Sequence, residues 1–286
     1  MKILGVSGGP DSMLLLSKNQ HKKIIVAHVN YNVRKTSKED EKLVEKFCKE
    51  RDIPFFLLNL KEKPDENFQA WARKKRFDFF KNLYDKYQCK SLLLGHHKDD
   101  FLETAIMQIN DNRKPKQFGI KRVSIVNGMK IMRPFIKKYW KQDILNICER
   151  LNIPYVIDVS NSETIYTRNQ VRKEIEKLTP KEKKDQFSWF QLSNRILDKK
   201  NKKVNIYYKK WCKSNFSLFT FGYMKFKNEL VFNFLHDNNK DIKVSSNKIK
   251  SIIQWIEADN SKREYKIKDK VFIKKENKVI KIITKK

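Results

Sequence analysis

A segment near the start of the chain joins an apolar run to a glycine turn that carries two serines and an aspartate. Residues 3–12 read Ile-Leu-Gly-Val-Ser-Gly-Gly-Pro-Asp-Ser, and apolar residues 13–16 follow. This pattern predicts a strand, a glycine loop and a helix. Such a loop directs backbone N–H groups at the positive end of a helix dipole and therefore predicts an anion site. An ordinary strand-to-helix turn would give the same pattern.

A second polar segment, residues 95–104, reads Gly-His-His-Lys-Asp-Asp-Phe-Leu-Glu-Thr and follows a short apolar run. Asp99, Asp100 and Glu103 fall near the first turn of a predicted helix, where spacings of three and four place pairs on one face. Carboxylates so arranged can hold Mg²⁺ beside a triphosphate. Acids in a first turn can also simply complement the helix dipole. Beside a phosphate loop in the same crevice, metal binding is the better interpretation.

Three further segments carry residues suited to nucleotide contacts. Residues 28–34 end a predicted strand, where a polar side chain can read an adenine edge, although a lone histidine there is more often structural. Residues 67–77 open a predicted helix with Arg73 and Arg76 one turn apart, which can grip phosphate or form only a solvated face. Residues 158–172 place two arginines four apart on a predicted helix, a face that suits RNA backbone and splayed bases.

The formal net charge of +31 comes from 64 Lys and Arg against 33 Asp and Glu. A field of that size favours a polyanionic partner, nucleic acid first and an anionic membrane surface second, although base-composition bias also produces lysine-rich chains. Only 12 of the basic residues are arginine, whose planar fork suits phosphates and bases. Six of the 12 lie in the motif segments: Arg34, Arg73, Arg76, Arg133, Arg168 and Arg172.

The apolar runs predict alternating strands and helices. The predicted strands lie at residues 3–6, 24–29, 54–60, 91–95 and 155–158. The predicted helices lie at about residues 10–18, 38–51, 67–87, 99–109 and 138–151. This alternation indicates an α/β fold with a parallel twisted sheet covered by helices on both faces. Ligands bind at the carboxyl ends of the strands in such sheets, and Ser7, His28 and His96 each lie at one.

The remainder of the chain predicts a basic helical segment at residues 179–214 and then a change of pattern. Short alternating runs at residues 216–221, 229–234, 271–273 and 279–283 surround one predicted helix near 246–257, which indicates a small α+β domain. We therefore expect a catalytic domain at 1–178, a basic helical connector at 179–215 and a C-terminal domain at 216–286.

Hydropathy and cysteine usage bear on location. The chain has no apolar stretch of 18 residues, and Met1 leads directly into the first predicted strand, so we expect no membrane span and no signal or transit peptide. The four cysteines are scattered, which argues against a zinc site, an iron–sulfur cluster or a disulfide framework. A cytoplasmic location fits this pattern.

The Ser-Gly-Gly-Pro-Asp-Ser segment at residues 7–12 resembles the pyrophosphate loop of the N-type ATP pyrophosphatases, the PP-loop family. No Gly-Lys-Ser/Thr follows, so the segment is not a Walker A loop. The PP-loop enzymes cut ATP between its α- and β-phosphates and activate a substrate oxygen as an adenylate. The resemblance implies an adenine nucleotide alpha hydrolase-like fold.

The joint pattern over about residues 3–175 is similar to that of the tRNA(Ile)-lysidine synthetases. After the loop come His-Val-Asn at 28–30, Ala-x-Ala-Arg-x-x-Arg-Phe at 70–77, the 95–104 segment, Arg133-Pro134, and Asp-x-Ser-Asn with Arg-Asn-x-x-Arg within 158–172. The resemblance implies a ligase that uses ATP and Mg²⁺. It would adenylate O2 of the wobble cytidine in an isoleucine tRNA with a CAU anticodon. The ε-amine of free L-lysine would then attack C2, with release of AMP, after pyrophosphate has left in the first step.

The resemblance also implies roles for individual residues. We expect the following to bind ATP: Ser7, Gly8, Gly9, Pro10, Asp11, Ser12, His28, Asn30, Gly95 and His96. We expect Mg²⁺ on Asp11, Asp99, Asp100 and Glu103, and catalytic roles for Asp11, Asp99, Asp100 and Arg73. We expect tRNA contacts from Arg34, Arg76, Arg133, Arg168, Asn169, Arg172 and the C-terminal domain. The oligomeric state stays open, with a homodimer as one option.

Two alternatives compete with this interpretation. Related enzymes use the same loop for tRNA thiolation, but they generally need a reactive cysteine or a Cys-x-x-Cys cluster. A non-enzymatic RNA-binding protein would explain the charge and leave the loop and the acids idle. One departure concerns residues 31–34, which read Tyr-Asn-Val-Arg where many family members have His-x-x-Arg, so the role of that loop is open.

Overall fold

A computed structural model describes residues 1–33, 37–60, 67–113, 115–156, 166–238, 242, 244–258 and 263–285. Within them the chain forms two compact units, residues 1–193 and 194–286. The strands of the first unit are β1 (Lys2–Gly5), β2 (Ile24–Asn30), β3 (Phe55–Asn59), β4 (Leu92–Leu93), β5 (Val123–Val126) and β6 (Met129–Met132). Its helices are α1 (Pro10–Ser17), α2 (Ser37–Lys49), α3 (Phe68–Lys86), α4 (Lys98–Asn110), a 3₁₀ turn (Pro134–Lys137), α5 (Lys141–Arg150), α6 (Tyr166–Lys177) and the start of α7 (Pro180–Lys213).

The first unit is built on one six-stranded sheet in the order β3-β2-β1-β4-β6-β5. Every pair is parallel except β5 with β6. The parallel α/β sheet predicted from the alternation is thus confirmed. The first helix follows the innermost strand directly, so the glycine loop lies at the carboxyl end of β1, where open α/β sheets bind their ligands.

Both faces of this sheet are buried at its centre. Adjacent residues of a strand point to opposite faces, and Ile3 and Leu4 of β1 are both fully buried. Leu4 belongs to a cluster that includes side chains of α1, α2 and α5, whereas Ile3 belongs to one that includes side chains of α3. Burial on both faces explains why these strands are continuous apolar runs in the sequence.

The edge of the sheet differs from the sequence prediction. Tyr155 and Val156 are not in a strand, so the strand predicted at 155–158 is wrong there, and the other two residues lie outside the described ranges. A β5–β6 hairpin forms this edge instead, with Val126 opposite Met129. Asn127 and Gly128 form the two-residue turn of this hairpin, with φ values of 48° and 75°. A tight hairpin turn of this kind requires positive φ at both positions.

The second unit combines helices with a small antiparallel sheet. It contains the rest of α7, then α8 (Leu218–Gly222), α9 (Lys227–Asn238), α10 (Ser246–Glu257), β7 (Glu264–Lys268), β8 (Val271–Glu276) and β9 (Val279–Thr284). The buried Trp211 ring lies 4.7 Å from Phe221 and 5.6 Å from Phe234, centroid to centroid. The predicted α+β class is confirmed, and the three-part division of the chain stays a prediction.

Two runs expected as strands in this unit are helices instead. Residues 218–222 form α8, and the run at 229–234 lies within α9. In α9 the buried side chains are Leu230, Val231, Phe234 and Leu235, a spacing that lines one face of a helix. The phenylalanines in these runs favour strands by local propensity, but the packing around Trp211 decides the structure.

No described helix is both long enough and apolar enough to cross a membrane.

Gly95 sets how closely the end of β4 approaches the start of α1. A Cβ atom at this position would lie 2.8 Å from the carbonyl oxygen of Asp11 and 3.2 Å from the backbone nitrogen of Ser12. Backbone cannot give way as a flexible side chain can. Only glycine therefore permits the approach that brings the 95–104 segment beside the glycine loop.

We expect Gly95→Ala to lower the free energy of unfolding by about 1–3 kcal/mol through overpacking. Gly222→Ala is the matched control, because beyond its chain neighbours and its own helix no atom of the described residues lies within 4 Å of its Cβ position. Chemical denaturation of both variants and the wild type measures the difference. Equal stability of the two variants would contradict the close approach.

Candidate active site

The glycine loop is closed by hydrogen bonds from its own serines. The Ser12 hydroxyl donates to the Gly9 carbonyl at 2.9 Å and accepts from the Ser7 N–H at 3.1 Å. Gly9 caps α1, and Pro10 occupies the first helical position, where a missing N–H costs nothing. Gly8 has a φ of 91°, and a Cβ there would press on Asp40. The loop is therefore a fixed turn at a helix N-terminus, with the Ser7 side of it exposed.

Three carboxylates surround His97 next to this loop. The His97 ring nitrogens lie 3.6 Å from Asp11, 3.3 Å from Asp99 and 3.4 Å from Asp100. Burial opposes the protonation of His97, but the three carboxylates outweigh it and raise the pKa of the ring. Burial likewise acts to raise the pKa of Asp99 and of Asp100, but His97 and other neighbours lower both. The structure thus brings together three of the four predicted metal ligands.

Two lysines that the sequence analysis did not single out bind these carboxylates. The Lys141 ammonium lies 2.9 and 2.8 Å from the two carboxylate oxygens of Asp11. Its backbone N–H also donates to Asp99 at 2.8 Å, and the Lys183 ammonium lies 3.5 Å from Asp99. Lysine supplies most of the basic residues of the chain, so no spacing marks these two in the sequence. Their partners are far away along the chain and become visible only in the fold.

Glu103 lies at the centre of a separate ion-pair cluster. Its carboxylate oxygens accept from Arg168 at 2.8 Å and from Arg172 at 2.9 Å, and its side chain is only 3% exposed. Arg168 also lies 3.7 Å from Asp100. Glu103 therefore fixes the arginine face of α6 against α4, beside the carboxylates around His97.

Four arginine charges act on this same region. Burial and the neighbouring charges of Arg76 and Arg168 lower the pKa of Arg73. Burial, followed by the charge of Arg73, lowers that of Arg133. Burial and three of these arginines lower the pKa of His96 to about 4, so His96 is neutral at pH 7.

Three buried side-chain nitrogens in this region have no hydrogen-bond partner among the described residues, His96 Nδ1, His97 Nδ1 and Arg133 Nε. Buried polar atoms are normally paired. A crowd of like charges together with unpaired polar atoms indicates a site for an anionic ligand that would satisfy both.

Comparisons with known proteins agree with this geometry. A family model described as the PP-loop domain matches residues 2–179. The tRNA(Ile)-lysidine synthase of Mycoplasmopsis pulmonis is 42% identical over 289 residues, which cover 100% of both chains. That of Mycoplasma pneumoniae is 41% identical over 95% of this chain and 93% of its own. The chain belongs to the tRNA(Ile)-lysidine synthase family.

A solved structure shows the same fold at lower similarity. The alignment with the U34-tRNA thiolase NcsA from Methanococcus maripaludis covers 69% of this chain and 71% of the thiolase chain. The TM-score is 0.55 and the sequence identity 20%. The likeness concerns the fold.

The residues predicted to read adenine are held by internal hydrogen bonds. His28 is buried, lies 2.9 Å from the Val6 carbonyl oxygen through Nδ1, and has a pKa lowered by burial. The Asn30 amide donates to Glu41 at 2.7 Å and accepts from the Asn32 N–H at 2.8 Å. These side chains shape the end of β2, and their contact with ATP stays a prediction.

Other predicted positions fall outside this geometry. Arg34 and residues 158–161 lie outside the described residues. Asn169, the residue after Arg168 on α6, is half-buried. Their predicted contacts with tRNA in this family member stay predictions.

The carboxylates differ in how well they fit Mg²⁺. Among the described residues, no group of three or more His, Cys, Asp or Glu side chains is arranged to hold a metal ion. Both oxygens of Glu103 are bound by arginines, so Glu103 fits the predicted ligand role least. Asp11 fits it best, because its carboxylate is 30% exposed and its partner Lys141 is 40% exposed. One or two carboxylates suffice where substrate phosphates complete the shell.

We expect Glu103→Gln to weaken tRNA-dependent activity at least tenfold, because Arg168 and Arg172 lose the charge that fixes them. We also expect it to lower the free energy of unfolding by about 1–3 kcal/mol. Glu174→Gln is the matched control, an exposed acid on the same helix as these arginines. Activity is measured at increasing Mg²⁺ concentrations. A defect that disappears at high Mg²⁺ would instead identify Glu103 as a metal ligand.

Proposed function

We propose that this chain joins lysine to C2 of the wobble cytidine of an isoleucine tRNA with a CAU anticodon, using ATP and releasing AMP and pyrophosphate. The observation that carries the proposal is the end-to-end match with curated lysidine synthases, at 42% identity over the whole of both chains. The geometry supports it, because a closed PP-loop turn lies beside a carboxylate cluster, and that cluster lies beside the arginines that bind Glu103.

In the first step, O2 of the cytosine attacks the α-phosphorus of ATP, and the bond to the leaving pyrophosphate breaks. Charge grows on the phosphate oxygens, where fixed donors stabilise it most. The loop N–H groups and the Ser7 hydroxyl would bind these oxygens, while the Ser12 hydroxyl keeps the loop closed. Arg73 and Arg133 would hold pyrophosphate, since Arg133 lies near His96 and its charge acts together with that of Arg73.

Mg²⁺ would neutralise charge on the phosphates when bound, with Asp11 as its first protein ligand and Asp99 and Asp100 nearby. Asp11 would have to exchange Lys141 for the metal, and the exposure of both side chains permits that exchange. Glu103 would act instead by positioning Arg168 and Arg172, which would contact the tRNA together with Arg76, Arg34 and Asn169.

In the second step, the ε-amine of lysine attacks C2, the bond from C2 to the adenylate oxygen breaks, and AMP leaves. The amine must lose protons, and a lysine cation would first be attracted by the carboxylates around His97. This cluster already binds two ammonium groups, those of Lys141 and Lys183. The ammonium group of a substrate lysine would require carboxylate partners of the same kind.

The thiolation alternative finds no support in the cysteines. Burial raises the pKa of the Cys48 thiol to about 12. Burial is also the main reason why the pKa values of Cys89, Cys148 and Cys212 are raised. A nucleophilic cysteine needs a lowered pKa instead. All four cysteines are free, which agrees with a proposed cytoplasmic location.

The test is mass spectrometry of the tRNA after incubation with the full chain, ATP, Mg²⁺ and isotopically labelled lysine. We expect label at the wobble cytidine, and a loss of at least 100-fold in Asp11→Ala. Asp85→Ala is the matched control, because it removes an exposed carboxylate at the far end of α3.

AMP formation without label would keep the adenylating site and overturn the lysine substrate. The absence of both label and AMP would support a non-enzymatic RNA-binding protein.

A further inference from the structure

Two aromatic side chains on α8 of the second unit lie largely in solvent. Phe219 is 74% exposed and Tyr223 is 77% exposed. Their rings meet edge to face, with centroids 5.1 Å apart and an interplanar angle of 66°. Large aromatic side chains are usually buried in folded proteins, so a paired exposure of this size calls for a role.

Packing of the second unit does not use these rings. The opposite side of α8 supplies Phe221, which is fully buried against Trp211. Gly222 lies between Phe221 and Tyr223, and beyond its chain neighbours and its own helix no atom of the described residues lies within 4 Å of its Cβ position. The surface beside Tyr223 is therefore open at Gly222.

The charge of this unit selects the kind of partner. Residues 194–286 contain 25 Lys and Arg against 9 Asp and Glu. Such a surface repels a second copy of itself and attracts a polyanion. Lys225, two residues after Tyr223, is exposed and could meet a phosphate beside the rings.

We propose that Phe219 and Tyr223 form a stacking platform for an unpaired nucleotide of the bound tRNA. Every base has a flat π face that stacks on aromatic rings without sequence preference, while lysines attract the backbone. An acidic protein would use the charge but not the ring pair. The identity of the RNA as a tRNA rests on the proposed function, whereas the stacking itself does not.

The test is equilibrium binding by the full chain to two probes, the CAU isoleucine tRNA and a blunt RNA hairpin with a tightly closed loop. We expect the Phe219→Ala/Tyr223→Ala double variant to bind the tRNA about tenfold more weakly, the effect of one lost stack. The slope of affinity against salt should stay unchanged, because no phosphate contact is removed. Affinity for the hairpin should also stay unchanged.

Ile206→Ala is the matched control, since it removes an exposed apolar side chain, 68% exposed, from the same unit. It should bind the tRNA as the wild type does. The variant Phe219→Tyr/Tyr223→Phe keeps both rings and should therefore bind the tRNA as tightly as the wild type. An unchanged unfolding midpoint in the double variant confirms that the fold is intact.

Unaltered tRNA affinity in the double variant would overturn the platform. So would an equal loss for the hairpin, a reduced salt slope, or a changed sedimentation coefficient that identifies a contact between copies. Binding is measured without the reaction, so wild-type chain that binds tRNA but forms no lysidine would overturn the proposed function alone.

Discussion

Mutual neutralisation of buried charges at the carboxyl end of the six-stranded sheet is the constraint on which the rest of the site depends. A charge buried without a partner costs several kcal/mol, and each carboxylate here lies against a cation. Glu103 holds Arg168 and Arg172, and Asp11 holds Lys141. These pairs connect α1, α4, α5 and α6, which the chain order alone would leave unrelated.

The same constraint determines how substrates could enter. A triphosphate that binds the arginines draws them away from their carboxylate partners. Those carboxylates then stay paired only if other cations replace the side chains that they lose. The Mg²⁺ and the lysine of the proposed reaction are both cations, and Asp11 and Asp99 both bind ammonium groups already. Binding would therefore be an exchange of ions rather than an addition of charge, which keeps its cost low in a partly buried crevice.

Local patterns predicted β1 to β4 because each is a continuous apolar run, as is typical of strands buried in a parallel sheet. They failed where packing decided the outcome. The β5–β6 hairpin has a clear Asn127-Gly128 turn signal that the alternation of strands and helices overshadowed. Phenylalanine-rich runs looked like strands but became α8 and α9, because Phe221 and Phe234 both pack on Trp211.

In the site, too, local spacing identified some residues, whereas contacts between residues far apart in the sequence were missed. Asp99, Asp100 and the glycine loop are close in sequence to the elements that position them, so spacing found them. Lys141 binds Asp11 across 130 residues, and one lysine among many carries no local signal. Glu103 was predicted as a metal ligand from its place near the first turn of a helix, whereas the arginines that bind it lie on another helix, and this contact is the ground on which we propose a positioning role.

The two units divide the charge of the chain in different ways. Residues 1–193 contain 24 of the 33 acids, and several of these form the pairs that build the site. Residues 194–286 have few acids and an exposed ring pair, a surface suited to polyanion and base contacts rather than chemistry. Under the proposed function, a site that reads only the CAU anticodon would not separate two tRNAs that share it. Discrimination would then need contacts elsewhere on the tRNA, and we propose that the basic unit with its exposed ring pair makes them.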